Sequence, residues 1–271
     1  MSPRTQAPEG SALAAYEAFA PFYDRYTADH GHEGWMGDVD AILREHGAPG
    51  NRLLDVACGT GKSFVPMIAR GWLVTACDIS PAMAARARAK LGRRGEVRVA
   101  DMRSLPWQRS FDAATCVDDS INYLLSLGEV VAAMRSIREA LVPGGLVAFD
   151  VNSLGTYRGP FADELTFEAE GTTFRWRGEG SRFLPPGELV TALTEALGPD
   201  GSPATSARHV QRHYSIDQLR LASAEAGLRC LAFWGQVPDG GLVRDPDEEL
   251  TTKILCLATR PGGRGKGAGA E

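Results

Sequence analysis

The chain has 271 residues, a net charge of −5, and a composition of 44% hydrophobic and 23% charged residues, which is typical of a globular protein. The negative charge gives no support to nucleic-acid binding, which usually requires a basic surface. The sequence shows no signal peptide and no apolar run of membrane-spanning length. Five scattered cysteines without C-x-x-C spacing favour reduced thiols over disulfides or a metal site. We therefore expect a cytoplasmic protein without a metal and without a nucleic-acid or membrane partner.

The first 50 residues predict a helical segment in front of the main fold. Apolar and aromatic residues recur at helical spacing over 11–30, and we expect Pro21 to break that helix. The aromatic residues of this segment either pack on the core or form a lid over a ligand. A second helix is expected from Trp35 to His46. The two ends of the chain, 1–10 and 261–271, are expected to be disordered.

The stretch LLDVACGTGK, residues 53–62, predicts a buried strand, a glycine-rich turn and the start of a helix. Its glycines let a ligand approach the backbone, and the free N–H groups of the helix attract anions. A dinucleotide would require glycine or alanine where Phe64 stands, and a P-loop would require glycine where Val56 stands. S-adenosylmethionine has no phosphates and needs fewer glycines, and its amino group could meet Asp55. A turn without any ligand is the remaining alternative.

Strands and helices then alternate from residue 51 to 151, which predicts right-handed βαβ units and a parallel sheet. The further strands are expected at 72–77, 97–100, 111–117 and 146–151. Asp78 ends the second strand 17 positions beyond Gly61, close to the ~20-residue spacing of a carboxylate that binds a ribose hydroxyl pair. Ile79 and Met83 could flank an adenine, although Met83 could equally belong to the core. A capping box at Ser126 predicts the start of another helix.

The segment 152–214 departs from this alternation. It predicts antiparallel strands at 165–169, 173–177 and 182–184, and a hairpin around Gly198-Pro199-Asp200-Gly201. The first arm of that hairpin also has helical propensity. A capping box at Ser215 then begins a helix that stops at Gly227. The last two strands are expected at Arg229–Trp234 and Lys253–Arg260.

The run D-V-A-C-G-T-G, starting at Asp55, resembles motif I of class I S-adenosylmethionine-dependent methyltransferases. The F-D pair at Phe111 and the P-G-G turn at Pro143 are also typical of that family and follow in the same order. The chain is similar to bacterial enzymes that methylate amino sugars and other secondary metabolites. The resemblance implies a Rossmann-like α/β fold with a seven-stranded, mostly parallel sheet and helices on both faces. It also implies an N-terminal helical cap (11–50), a cofactor-binding core (51–151 and 215–260) and an antiparallel β insertion (152–214).

The resemblance implies S-adenosylmethionine as the cofactor, with Tyr23 near its methionine end and Asp101 near the adenine amino group. The residues assigned to the cofactor site are Tyr23, Asp55, Ala57, Gly59, Gly61, Asp78, Ile79, Met83, Asp101, Met102 and Val117. The expected acceptor is a small molecule that is methylated on nitrogen or oxygen, and the protein is expected to be a monomer or homodimer.

Methyl transfer by direct displacement depends mainly on positioning and on exclusion of water, and a base is needed only if the acceptor must lose a proton. The favoured catalytic residues are Asp119, Tyr123 and His213, and the further candidates are Asp118, His209 and Tyr214. Three alternatives stay open. One is a protein of this fold that uses the cofactor for cyclisation or sensing, and another is a protein methyltransferase. The third is phosphate transfer at the G-T-G-K-S run, against which Val56 argues.

Overall fold

A computed structural model describes residues 11–262. The tails predicted to be disordered lie outside the described residues, except for Pro261 and Gly262. The helices are α1 (Ala12–Tyr26), α2 (His32–Glu45), α3 (Phe64–Ala69), α4 (Pro81–Leu91), α5 (Leu127–Ala140), α6 (Leu154–Arg158) and α7 (Ile216–Glu225). The strands are β1 (Arg52–Val56), β2 (Leu73–Asp78), β3 (Glu96–Val99), β4 (Phe111–Cys116), β5 (Leu141–Asn152), β6 (Glu164–Ala169), β7 (Thr172–Gly178), β8 (Leu189–Leu197), β9 (Pro203–Arg212), β10 (Arg229–Gln236), β11 (Leu242–Arg244) and β12 (Lys253–Thr259).

The large sheet has the strand order β11-β10-β12-β5-β4-β1-β2-β3. Its five strands from β3 to β5 are parallel, and β12 and β10 add an antiparallel edge. All six residues of the central strand β4 are buried, as expected for a strand with helices on both faces. One apolar cluster packs α5 and α7 on one face, and a second packs α2, α3 and α4 on the other. The Rossmann-like prediction is confirmed, with β11 as an eighth strand.

The second sheet is antiparallel, with the order β6-β7-β8-β9. Its hairpin β8–β9 turns at Gly198, whose N–H donates to the carbonyl of Ser202 over 2.8 Å. Phe174 and Ala196 of this sheet pack against Phe19 of α1, which explains why β8 is a strand despite its helical propensity. The predicted insertion after β5 is therefore confirmed, and it closes over the N-terminal helix.

Two predictions of secondary structure are wrong. Helix α1 continues through Pro21, because Glu17 and Pro21 are both exposed and the carbonyl that loses its helical partner lies on the solvent side. The segment from Arg182 to Leu184 is a turn in which the Leu184 N–H donates to Ser181. Two prolines follow Leu184, and they cannot donate the hydrogen bonds of a ladder.

Local signals at the ends of helices are confirmed. Ser126 and Glu129 form a capping box at α5, and Ser215 and Gln218 form one at α7. The helix α7 stops before Gly227, which has a φ of 80°. Between residues 11 and 262, no helix has the length and apolar character needed to cross a membrane.

Replacement of Gly178 tests how closely the second sheet packs on the backbone at Phe161. A Cβ built there would lie 2.2 Å from the carbonyl oxygen of Phe161, a backbone atom that cannot rotate away. We expect Gly178→Ala to lower the free energy of unfolding by about 1–3 kcal/mol because of this overpacking. Gly128→Ala is the control, since its Cβ would meet only the Ser126 Oγ at 4.0 Å. Equal melting temperatures for the two variants in calorimetry would contradict the prediction.

Candidate functional site

The site lies where the parallel strands β1, β2 and β4 end. A cleft at this edge is lined by the loops after these strands and by the N-terminal helix α1, and it continues into two further cavities that share its residues. The cleft itself is lined by Ala12, Tyr16, Tyr23, His32, Ala57, Cys58, Gly59, Lys62, Ser63, Asp78, Ile79, Met102, Val117, Asp118, Ser120 and Tyr123. Ligands of open α/β sheets bind at this position.

The glycine-rich loop after β1 alternates residues of positive φ. Ala57, Gly59 and Gly61 have φ values of 55°, 53° and 91°. At Gly61 a Cβ would come within 2.3 Å of the Phe64 ring, so Gly61 permits close packing of the loop on α3 and does not itself line the cleft. Ala57 and Gly59 line the cleft, and their contact with the cofactor stays a prediction.

Asp78 is held at the centre of the cleft. Its Oδ2 accepts the Gly59 N–H over 2.9 Å and its Oδ1 accepts the Ser80 N–H over 2.8 Å. Burial raises the pKa of this carboxyl to about 6, although the two backbone donors oppose the shift. A carboxylate fixed in this way can still accept hydroxyl donors of a ribose on its remaining lone pairs.

Asp55 does not reach the cleft, which corrects the expectation of direct contact with a ligand amino group. Its Oδ1 accepts from Thr115 over 2.7 Å and its Oδ2 accepts from Ser63 over 2.5 Å. Only 1% of Asp55 is exposed, and burial raises its pKa to about 6. Ser63 does line the cleft, so Asp55 acts on this site through the hydroxyl that it orients.

The apolar end of the cleft contains Ile79 and Met102, with Asp101 in an adjoining cavity. The Asp101 carboxylate is held by Arg103, whose Nε donates over 3.0 Å. Met83 is 1% exposed and lines none of these cavities, so its alternative assignment to the core is the correct one.

The hydrogen bonds of Lys62 bear on which cofactor the cleft can hold. Its Nζ donates to the carbonyls of Asp24 and Thr27 over 3.0 and 2.7 Å, and to the Thr27 Oγ1 over 3.0 Å. All three protons are therefore used to hold the end of α1, and the lysine cannot meet a phosphate as a P-loop lysine does. A carboxylate at Asp78 and an apolar wall fit an adenosine without phosphates, so the residues present fit S-adenosylmethionine.

The cleft adjoins a second cavity of about 430 Å³, which we name the acceptor chamber after the role proposed for it below. The chamber is lined by Tyr16, Phe19, Tyr23, Tyr26, Thr27, His30, Asp118, Asp119, Tyr123, Asn152, Thr156, Pro160, Phe161, Leu165, Phe167, Trp176, Thr194, His209, Gln211 and Lys253. Four residues line both the cleft and the chamber, and these form the junction: Tyr16, Tyr23, Asp118 and Tyr123. A group transferred between ligands in the two cavities must pass this junction.

Asp118 and Asp119 carry the charge of the junction and the chamber. Burial alone would raise the pKa of Asp118, but the hydrogen bond of 2.8 Å with His32 and the charge of Lys253 hold it below its usual value. Burial raises the pKa of Asp119 to about 6, against the opposing charge of Lys253, which lies 3.2 Å away. The two neighbouring carboxyls thus differ in acidity because their partners differ.

The tyrosines at the junction belong to a chain of hydrogen bonds. Tyr16 donates to the Tyr123 hydroxyl over 2.8 Å, and the Tyr123 hydroxyl shares a hydrogen bond of 2.9 Å with the His209 Nδ1. Burial lowers the pKa of His209 to about 4 and raises that of Tyr123 far above its usual value. All three groups are therefore neutral near pH 7, and His209 is a poor base for an amine.

His213 and Tyr214 lie away from the chamber, so the structure gives no support to a catalytic role for either. The His213 Nδ1 accepts the Gly187 N–H over 3.0 Å, and its Nε2 faces Glu248 at 3.2 Å. The Tyr214 hydroxyl donates to the carbonyl of Leu124. Both side chains hold the end of β9 in place. Asp119 and Tyr123, in contrast, line the chamber together with Asp118, and their catalytic role stays a prediction.

Sequence reasoning missed Lys253 and Asp150. Asp150 lies two residues before the end of β5, the strand that pairs with β12, and Lys253 at the start of β12 stands opposite Asn152. The position of Asp150 near the carboxyl end of a strand was a usable signal, since the acids at or just after the ends of β2 and β3 were found by that criterion. Lys253 could be found only from the register of two strands that are about a hundred residues apart.

Comparison with known proteins agrees with this site. A family model described as a methyltransferase domain matches residues 53–145. A Geobacillus sp. (strain WCH70) protein is 33% identical over 90% of this chain and 99% of its own length. That protein is provisionally named as a methyltransferase. The chain belongs to the S-adenosylmethionine-dependent methyltransferases. It is accordingly an enzyme of that family, and S-adenosylmethionine is its cofactor.

Some relatives of this methyltransferase have more specific names, and these name N-methyltransferases. The dTDP-3-amino-3,6-dideoxy-alpha-D-glucopyranose N,N-dimethyltransferase of Streptomyces fradiae is 31% identical over 70% of this chain and 75% of its own length. The sugar N-methyltransferase from Streptoalloteichus sp. has a TM-score of 0.69 at 26% identity, covering 96% of this chain and 99% of its own. A methyltransferase from Clostridium acetobutylicum gives 0.74 at 23% identity over 92% and 99%, which shows the fold alone.

Asp78 provides a direct test of the cofactor cleft. We expect Asp78→Asn to weaken S-adenosylhomocysteine binding about tenfold to a hundredfold, because hydrogen bonds to a charged group contribute ~1.5–3 kcal/mol. Glu164→Gln, an exposed position of β6, is the control. Isothermal titration of both variants measures the effect, and an unchanged dissociation constant for Asp78→Asn would remove Asp78 from the cofactor site.

Proposed function

We propose that this methyltransferase moves the methyl group of S-adenosylmethionine to the nitrogen of a small-molecule amine. The observation that carries the proposal is the placement of Asp118 at the junction between the cofactor cleft and the acceptor chamber, with Asp119 beside it. Carboxylates attract and orient an ammonium group, which a hydroxyl acceptor does not have. The N-methylating relatives support the choice of nitrogen, and they include the cypemycin N-terminal methyltransferase of Streptomyces sp., 31% identical over 78% of this chain.

The bound cofactor supplies a methyl group on a positively charged sulfur. The lone pair of the amine would form the new N–C bond to this methyl group, and the C–S bond would break with its electron pair left on sulfur. Asp118, whose pKa is held low, stays ionised and orients the incoming ammonium group at the junction. Asp119 accepts the proton that the amine must lose, since its pKa of about 6 makes it a stronger base than an ordinary carboxylate. Tyr16, Tyr23 and Tyr123 surround the transfer point and exclude water.

The same proposal gives the parts of the chain their roles. Residues 11–50 form a cap and 152–214 form an acceptor-binding insertion on a cofactor-binding core of 51–151 and 215–260. Contacts of α1 with both cavities support this division, because Tyr16 and Tyr23 line the cleft and the chamber. The relatives that act on amino sugars support a role in secondary metabolism.

The test measures product formation with paired acceptors. The enzyme is incubated with S-adenosylmethionine and a set of amines, including amino sugars, each beside the matching alcohol, and products are identified by mass spectrometry. We expect N-methylated products. Methylation of oxygen alone, or incorporation of label only into protein, would contradict the proposal. Cofactor binding without any methylated product would favour the cyclisation or sensing alternative.

The pH profile tests the role of Asp119. A base must be deprotonated to act, so with a pKa of about 6 we expect kcat/KM for the amine to rise as the pH increases through about 6. The measurement is made with cofactor at saturation, which keeps the titration of Asp78 out of the profile. In Asp119→Asn this rise should disappear, and a rise that persists in the variant would assign the proton transfer to another group.

A further inference from the structure

The acceptor chamber contains very little positive charge. Its lining contains no arginine, and Lys253 is the single lysine among the chamber residues of the described chain. The two chamber histidines, His30 and His209, are neutral near pH 7 because burial lowers the pKa of each to about 4. Lys253 is therefore the one cation that this wall could offer to an anionic substrate.

Lys253 is already balanced by acids. Its Nζ lies 3.2 Å from Asp119, 3.6 Å from Asp150 and 3.7 Å from Asp118. Burial alone would lower the pKa of Lys253, but these three carboxyls outweigh it and raise the pKa, so the ammonium group stays charged and paired. Three carboxyl groups therefore surround one ammonium group, and Lys253 is not left unpaired for an anionic ligand.

Apart from the charged groups, the wall combines aromatic rings with neutral polar side chains such as Asn152, Thr156 and Gln211. The rings come from the helix α1, from the segment after α6 and from the second sheet: Tyr16, Phe19, Tyr23, Tyr26, Phe161, Phe167 and Trp176. Phe161 and Trp176 pack edge to face at 4.9 Å, and Trp176 stacks on His209 at 6.3 Å. Faces of aromatic rings attract cations and flat apolar groups, and they offer nothing to a phosphate.

We propose that the acceptor is a small organic cation, an amine on an aromatic skeleton, and that an amine carried on a nucleoside diphosphate is not accepted. A diphosphate brings two negative charges, which need arginine, lysine or free backbone N–H groups around them. The amine lies against Asp118 and Asp119, and the skeleton lies against Phe167 and Trp176. The inference rests on the proposed N-methylation, and it separates this chain from relatives named for dTDP-linked amino sugars.

The experiment uses benzylamine, phenethylamine, tyramine and tryptamine, each with the alcohol that replaces its amino group, and thymidine diphosphate. Binding to the enzyme saturated with S-adenosylhomocysteine is measured by titration calorimetry, and turnover with S-adenosylmethionine by mass spectrometry. We expect at least one amine to bind about tenfold more tightly than its alcohol, because the charge meets carboxylates and rings together. We expect thymidine diphosphate neither to bind nor to compete.

Two variants of chamber residues test where the amine binds. Asp119→Asn should remove most of the preference for amine over alcohol, while Trp176→Ala should weaken amine and alcohol alike. Glu164→Gln, exposed on β6, should match the parent enzyme. A preference for the amine that is unchanged in Asp119→Asn, or affinities that are unchanged in Trp176→Ala, would place the ligand elsewhere and overturn the proposal.

The outcomes also separate this inference from the proposed function. Equal binding of every amine and its alcohol would overturn the inference, as would competition by thymidine diphosphate. N-methylation of a dTDP-linked amino sugar, with no turnover of the free amines, would overturn the inference and leave the proposed N-methylation intact. Methylation of the alcohols alone would overturn both.

Discussion

One buried carboxylate, Asp150, organises the functional end of this sheet. It has no exposed surface, and it accepts hydrogen bonds from the Trp35 Nε1 and from the backbone N–H groups of Asp118 and Asp119, at 3.0, 3.0 and 2.6 Å. Both aspartates have left-handed backbone conformations, with φ of 57° and 52°, each costing roughly 1–2 kcal/mol. The hydrogen bonds to Asp150 offset that cost, and the loop after β4 therefore presents two carboxyls side by side.

The same carboxylate connects three distant parts of the chain. Trp35 belongs to α2, Lys253 begins β12, and the loop that contains Asp118 follows β4, so the cluster of groups around Asp150 forms only when all three are in place. A charge removed from water is costly unless it is paired, and Lys253 at 3.6 Å supplies the pairing. Burial raises the pKa of Asp150 while Lys253 opposes the shift, so the stability of the cluster depends on both partners.

Those features that depend on neighbouring residues were predictable from the sequence, and those that depend on register were not. The glycine-rich turn, Asp78 after β2 and the capping box at Ser126 each follow from adjacent residues, and the structure shows the expected conformation. The direct contact expected of Asp55 fails because Thr115 stands opposite it on β4, a pairing that no local pattern indicates. The structure also gives no support to His213 as a catalytic residue in place of His209. Strand β9 ends at Arg212, so His213 lies beyond the strand, and only His209 lines the chamber.

The three cavities share some of their lining residues but not others, and this affects how the substrate range of the enzyme can evolve. Tyr123 borders the cofactor cleft, the adjoining cavity near Asp101 and the acceptor chamber, so a substitution there alters every ligand at once. Phe167 and Trp176 of the second sheet border the chamber alone among these three cavities. Under the proposed function, mutations in β6 and β7 change the substrate range and leave the walls of the cofactor cleft unaltered, so substrate range and cofactor affinity can evolve independently.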